Sequence, residues 1–345
     1  MAQVEQATTI REIAALAGVS GGTVSRVMNG KPGVGPETRA RVLALISEHD
    51  FHGDSTARQL SRGRSDSLGI VFPLQVSEVV MHPVYPELLG AISDATQDAG
   101  LDVILFTTNE SRGIDHVIDS VKRKRVDGLI LPAASSDDPL VARVRASGIP
   151  TVLVGHRERD ERLTWVDCSH DEAIFELTRA LVRGGRRSLV LLNGPTRVSA
   201  YGLRSSGFWR AIHESGDAGI VASERTIEVG FAQGSRAADD LLDETLGIDA
   251  IVCSSDTMAA GVLDALARRD ISVPDDIAVT GFDDIDFSRH SRPTLTTVRM
   301  PLHDIGATAV SLLLQIVEHG ATAPDPDVLR TELIVRESAG SLSFD

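Results

Sequence analysis

Apolar residues recur along this chain in two registers, and the register changes near residue 67. Before it, Ile10, Ile13, Ala14 and Ala17 stand at helical spacing and make one face for burial. Thr9 and Glu12 are three apart at its head, as in a capping box, and Gly18 ends the run. Ser20 is placed to cap a second short helix, whose Val24, Val27 and Met28 pack back and leave Ser20, Thr23 and Arg26 facing outward. Two such helices joined by a tight turn lay the second in a DNA major groove by its N-terminal residues. A third helix is predicted from Pro36 to about His49, with Val42, Leu43 and Ile46 closing a three-helix core.

From Ser67 onward, short continuous apolar runs alternate with helical patterns. Leu68–Phe72, Val103–Thr107, Gly128–Leu131, Thr151–Val154, Ser188–Leu192, Ala250–Cys253 and Ile277–Phe282 read as buried strands. Between them lie helical stretches such as Tyr85–Ala99, Asp171–Val182, Ser235–Leu242 and Thr257–Arg268. Strand and helix in this alternation mean parallel sheets covered on both faces, an α/β architecture behind a small all-α head. A length of 345 residues fits about two domains.

The net charge of −15 looks wrong for a DNA-binding chain until it is split. Residues 1–64 carry eight Lys/Arg against six Asp/Glu, while residues 65–345 carry 26 against 43. A slightly basic head and an acidic body suit a protein that offers only its head to phosphate. So few positive charges give modest affinity per head, which implies two heads on a two-fold operator and hence a dimer.

No apolar run approaches the ~20 residues of a spanning helix, and the first residues lack a signal-peptide layout, so a cytosolic location is expected. Cys168 and Cys253 lie near apolar runs without metal-ligand spacing and read as buried free thiols. The Gly18-Val19-Ser20-Gly21-Gly22 run matches a hydrolase elbow, but a helix rather than a strand precedes the serine. Lys122-Arg123-Lys124-Arg125 closes a helix, where cations suit the C-terminus, and reads as a solvated face. His49 with His52, or Cys168 with His170, lack further metal ligands at usable spacing. There is no phosphate loop, no dinucleotide fingerprint and no catalytic constellation, so neither an enzyme, a cofactor nor a metal is expected. What remains are polar groups at strand ends: Asp283 after Ile277–Phe282, Asp256 after Ala250–Cys253, and Arg204 in the 203–208 segment after Ser188–Leu192.

The run Ala17-Gly18-Val19-Ser20 followed by Thr23-Val24-Ser25-Arg26-Val27-Met28-Asn29 closely resembles the head of the lactose-repressor and galactose-repressor family. The resemblance continues through residues 36–72, Val279-Thr280-Gly281-Phe282-Asp283-Asp284 and Pro293-Thr294-Leu295-Thr296-Thr297-Val298, nearly the whole chain. It implies a helix-turn-helix domain over 1–52, a hinge helix and linker over 53–66, and an effector-binding core over 67–345. That core would be two doubly wound subdomains of the periplasmic-binding-protein type, about 67–164 with 293–322 and about 165–292 with 323–341. The chain would cross between them near Trp165, Arg292 and Thr322. By the same resemblance Leu60 is the wedge that enters the minor groove, with Ala57 and Arg58 beside it; the plainer reading of residues 53–64 is a flexible linker. The DNA-facing set is then Thr9, Ser20, Gly21, Gly22, Thr23, Ser25, Arg26, Asn29, Ala57, Arg58 and Leu60.

For the core, the resemblance places Arg204 and Asp283 as effector contacts, an Arg fork and a carboxylate offering paired donors and acceptors in a cleft. The plainer alternative is an Arg–Asp ion pair across the cleft. Tyr85 and Trp165 are both candidates for the ring that stacks on ligand, and Ser255 completes the set. Several positions depart from the family pattern. His82-Pro83-Val84-Tyr85 replaces its Asn-Pro-Phe-Phe, Ser254-Ser255-Asp256 its Ala-Asn-Asp, and Cys168 its Asn, while the usual aromatic near 229–234 is either Val229 or Phe231. Gly21 and Gly22 stand where the family reads bases with side chains; each glycine brings none and costs up to ~1 kcal/mol of helix stability. The implied function is a dimeric or larger transcription regulator, usually a repressor, on pseudo-palindromic operator DNA. Its effector would be a sugar or sugar derivative in preference to a purine or nucleoside, acting as inducer or corepressor; a non-regulatory binding protein of the same core fold is the alternative.

Overall fold

Thr9 accepts the amide of Glu12 while the Glu12 carboxylate accepts the amide of Thr9, a closed capping box that starts helix α1, Ile10–Ala17. Gly18 ends it in the left-handed region at φ 64°, which turns the chain into α2, Gly21–Met28. With α3, Pro36–Glu48, these bury Ile13, Ala14, Ala17, Val24, Val27 and Val42 in one small core. The expected place of Leu43 in that core is corrected: it is half exposed, because Val42, Leu45 and Ile46 take the inward face and Phe51 closes the gap.

The structure is a computed structural model that describes residues 9–28, 30–49, 51, 64–72, 74–108, 111–132, 138–157, 163–244, 247–320, 327–340 and 342. The chain divides into two compact units, Met1–Ser65 and Asp66–Asp345. The expected hinge residues Ala57, Arg58 and Leu60, and Asn29 of the head, lie outside the described residues.

The larger unit holds two sheets. In the first, β1 (Ser67–Phe72), β2 (Asp102–Thr107), β3 (Gly128–Pro132), β4 (Thr151–Val154), β5 (Thr164–Cys168) and β11 (Asp327–Leu329) run parallel in the order β11-β5-β4-β3-β1-β2. In the second, β6 (Ser188–Asn193), β7 (Val221–Thr226), β8 (Ala250–Cys253) and β9 (Ala278–Thr280) run parallel in the order β7-β6-β8-β9. Alternation along each central strand feeds two cores. Leu68, Ile70 and Phe72 of β1 pack with α5 (Tyr85–Asp98) and α13 (Leu302–His319), whereas Val71 joins Leu129, Leu131 and Leu153 against α6 (Ser111–Lys122) and α7 (Pro139–Ser147). Val190 and Leu192 of β6 face α10 (Phe231–Glu244) and α11 (Asp256–Arg268), while Leu189 and Leu191 face α8 (His170–Arg183) and α9 (Ser199–Glu214). The remaining short helices are α4 (Val76–Met81) and α12 (Phe287–His290).

The chain passes between the sheets three times, and the crossings fall elsewhere than expected. Trp165 is inside β5, so the chain leaves the first sheet after Cys168. Leu295 still packs in the second core, so the return falls in β10, Thr297–Arg299, rather than at Arg292. β11 pairs with β5, which moves the last crossing past Leu329, beyond Thr322; β12, Glu332–Ile334, then lies antiparallel to β10. These strands are three to five residues long, and β11 and β12 are half exposed, so no apolar run announces them. Cys168 and Cys253 are buried free thiols.

Candidate functional site

In the head, the Ser20 hydroxyl accepts the amide of Thr23 at 3.2 Å and meets the Thr23 hydroxyl at 3.0 Å, which caps α2. Ser20, Gly22 and Arg26 are exposed; Gly21, Thr23 and Ser25 are partly so. A Cβ on Gly21 would meet nothing within 4 Å, so the bare backbone there serves no packing need inside the head. Thr9 is spent on the capping box of α1.

In the core, strand ends from both sheets open on a cavity of about 370 Å³. The loop and helix start after β1 bring Met81–Tyr85 and Leu88; β4 and β5 end in Val154, Gly155 and Asp167; α13 adds Leu302 and Ile305. The second sheet contributes Val198, Ala200, Tyr201 and Arg204 after β6, Val229 after β7, Ser255 and Thr257 after β8, and Asp283 after β9. Four of the five expected effector residues therefore meet here: Tyr85, Arg204, Ser255 and Asp283. Trp165 does not. It is the second residue of β5, well back from the strand's carboxyl end, and packs against the first sheet's other core. Of Val229 and Phe231, Val229 lines the cavity and Phe231 does not.

Arg204 sits on α9, which starts at Ser199. It is 4% exposed, and its guanidinium lies over the Phe282 ring, 3.6 Å from the centroid. One terminal nitrogen donates to the Ser254 carbonyl; Nε and the other donate to His170 Nδ1 at 3.3 and 3.2 Å. That second terminal nitrogen is 3.7 Å from Asp283 Oδ1, beyond hydrogen-bond reach.

Because a guanidinium only donates, His170 Nδ1 must accept, and the ring's proton sits on Nε2, 3.0 Å from Asp167 Oδ1. Burial holds the imidazole below its ordinary pKa against the pull of Asp167, so it is neutral. Burial alone would raise Asp167, but His170, the Cys168 amide and Arg157 outweigh it and hold the carboxyl below its usual range. The result is a polar chain from Arg157 through Asp167, His170 and Arg204 to Asp283. Asp167, Cys168 and His170 also lie close enough to share an ion, but Arg157 and Arg204 already bond two of them, and two guanidiniums repel a cation. Burial and Asp167 push the Cys168 thiol up, which keeps it protonated.

Burial pushes Asp283 up to about 8, against the pull of Arg204 and with some help from Asp256. Its backbone lies at φ 117°, a conformation uncommon outside glycine, and its N–H donates a hydrogen bond to the Val298 carbonyl at 2.8 Å. Ser255 caps α11 by accepting the amide of Met258 at 3.2 Å. Asp256 does not line the cavity; its carboxylate accepts the Ser288 and Thr297 hydroxyls and the Ile285 amide. Gly281 is glycine for its sake, since a Cβ there would fall 2.1 Å from Asp256 Oδ1. Tyr85 opens α5 and stacks on His82 with centroids 3.7 Å apart and planes at 14°.

His170, Asp167, Tyr201 and His82 escaped the sequence reading as ligand-site residues. The available signal is the spacing of Asp167 and His170 at the start of a helix.

Residues 9–54 match the family described as bacterial regulatory proteins, lacI family, and residues 178–339 match the periplasmic binding protein-like domain. The HTH-type transcriptional regulator CelR of Thermobifida fusca is 31% identical over 337 residues, covering 96% of this chain and 98% of the relative. A solved CelR–cellobiose complex superposes with a TM-score of 0.73 at 28% identity, covering 96% of this chain and all of that one. The lac repressor bound to ONPG in its repressed state superposes with a TM-score of 0.81 at 26% identity, covering 96% and 99%. Fold, head and cleft together define a DNA-binding transcription regulator controlled by a small ligand, not an enzyme. The chain belongs to the lacI family of bacterial regulatory proteins. Among the described residues no helix is long and apolar enough to cross a membrane.

Proposed function

We propose that this chain acts in the cytoplasm as a homodimeric repressor, reading a pseudo-palindromic operator with its two heads and releasing or tightening its hold when a sugar occupies the cleft. The observation that carries this is the placement of Arg204, Ser255 and Asp283 on one wall of the cavity and Tyr85 on the other. The CelR–cellobiose complex supports the sugar, and the solved lac repressor dimer on operator, 24% identical with a TM-score of 0.83, supports the fold such an assembly needs. A ligand gripping both walls prefers one closure angle and shifts the two subdomains toward it. Asp283 is bonded through its backbone to β10, one of the three crossings, so a ligand held there bears directly on the connection that must bend. The coupling is reciprocal: operator DNA must change effector affinity by the same factor that effector changes operator affinity.

The test is operator binding by the full chain, followed by fluorescence anisotropy on DNA selected from a random pool, with and without a panel of sugars. Binding to a two-fold site that at least one sugar shifts is the expected result. Selected DNA without two-fold symmetry, or operator affinity indifferent to every sugar that binds, overturns the proposal.

A further inference from the structure

The cleft is chemically lopsided. Its second-sheet wall carries Arg204, Asp283, Ser255, Thr257 and Tyr201, whereas the first-sheet wall offers His82, Tyr85, Leu88, Val154, Leu302 and Ile305. Asp167 is the one charged group on that first wall among the described residues, and it is occupied by Arg157, His170 and the Cys168 amide. We propose that the effector is an uncharged saccharide bearing an apolar substituent, its hydroxyls held by Arg204 and Asp283 and its substituent lying on the Tyr85–His82 shelf, and that phosphorylated and carboxylated sugars are rejected. This rests on the cleft being the effector site, as argued above.

The exclusion of anions follows from charge. Arg204 is the only cation among the described lining residues, and its donors already serve the Ser254 carbonyl and His170 while Asp283 faces it. A phosphate placed here would meet the Asp167 carboxylate and no uncommitted guanidinium. The amino-terminal turn of α11, which would otherwise attract an anion, carries the buried Asp256 carboxylate. His82 adds no charge: its Nδ1 accepts the amide of Val84 at 3.2 Å, and burial pushes it down to about 4.

The apolar substituent follows from the shelf. Tyr85 and His82 line the cavity as a face-to-face stacked pair, with the Phe72 ring centroid 5.0 Å from that of Tyr85. A plain polyol would leave this surface and the side chains of Leu88, Leu302 and Ile305 without a partner. A nucleoside would cover the shelf too, but its base edges would then face aliphatic side chains with few groups to bond them. Burial, then Tyr201 and Asp283, push the Tyr85 hydroxyl up, so it stays a donor toward the polar wall.

The experiment is calorimetry on the full chain at pH 7.5 with glucose, galactose, mannose and xylose, each as the free sugar, the phenyl glycoside and the phosphate, together with glucuronate, galacturonate, adenosine and cytidine. The best phenyl glycoside should bind at least tenfold tighter than its parent sugar, with no binding by phosphates or uronates. Tyr85→Ala should bring that glycoside down to the level of the parent sugar, and Arg204→Ala should remove both. A phosphate or uronate that binds as tightly as its neutral parent overturns the inference, as does a nucleoside that binds tighter than every glycoside. So does a phenyl glycoside no tighter than its parent, absence of binding by either included. If an acidic sugar binds, is lost in Arg204→Ala and shifts operator affinity, the ligand class fails while the regulatory reading stands.

Discussion

Asp283 and Asp284 are consecutive, both at positive φ (117° and 56°), and they serve different structures. Asp283 lines the cleft opposite Arg204; Asp284, its side chain fully buried, bonds Arg299 of β10 at 2.8 Å and Arg336 beyond β12 at 2.5 Å. The residue that lines the cleft is thus one peptide bond from the residue that ties two crossings together.

Asp284→Asn should destabilise the core by about 1–3 kcal/mol, because Arg336 and Arg299 lose their shared carboxylate while Arg299 keeps Glu332 and Arg336 keeps the Leu295 carbonyl. Urea unfolding of the full chain measures this. A loss under about 1 kcal/mol would mean solvent screens the cluster and the crossings are held by backbone pairing alone.

Arg204→Ala and Asp283→Ala should each weaken effector binding by about 2–5 kcal/mol, enough to move a micromolar site to millimolar or beyond. Melting temperature and effector affinity measured on the same two proteins separate recognition from structure. If each variant melts early yet keeps parental affinity, the pair is only an ion pair across the cleft.

Stability should depend on pH through Asp283. Its folded carboxyl is pushed up from 3.8 to about 8, so between those values the folded chain holds a proton that the unfolded chain does not. The contribution is full below about 3.8, falls steadily as pH rises and is gone above about 8. Asp256, pushed up to about 6 by burial, adds a slope at lower pH, so the comparison is between parent and Asp283→Asn from pH 6 to 9. The parent should lose stability relative to the variant as pH rises; parallel curves would show that Asp283 is ionised throughout.

Arg26 is exposed on α2 and is the long side chain best placed to read bases, since Gly21 and Gly22 bring none. Arg26→Ala should cost about 1–3 kcal/mol on the operator and relax preference at one base pair per half-site. Unchanged selected sequences for parent and variant would assign the reading to another residue.

Gly21→Ala should raise the stability of the head by up to ~1 kcal/mol, because the new methyl meets nothing within 4 Å and the helix gains a better former. Operator affinity should fall all the same if the bare backbone approaches DNA closely. A variant both more stable and equally tight on operator would show that the glycine has no role in recognition.

Local physics accounts for what the chain showed unaided. The capping box, Gly18 and the 3.6-residue spacing fixed the helix-turn-helix, and seven apolar runs located seven of the strands, because propensity, caps and burial pattern act within one element. Arg204 and Asp283 are recoverable as cleft residues only through resemblance to a family, since nothing in their local sequence distinguishes them from any surface pair.

What tertiary structure alone decided depends on contacts between distant segments. Trp165 lost its place in the cleft because its depth along β5, not its neighbourhood in sequence, sets which core it joins. His170 became part of the site through bonds to a residue 34 positions away, and the crossings moved because β11 gains its strand character from pairing with β5. Short, half-exposed strands carry no pattern of their own; β11 pairs with a strand 161 residues earlier in the chain and β12 with one 33 to 37 residues earlier.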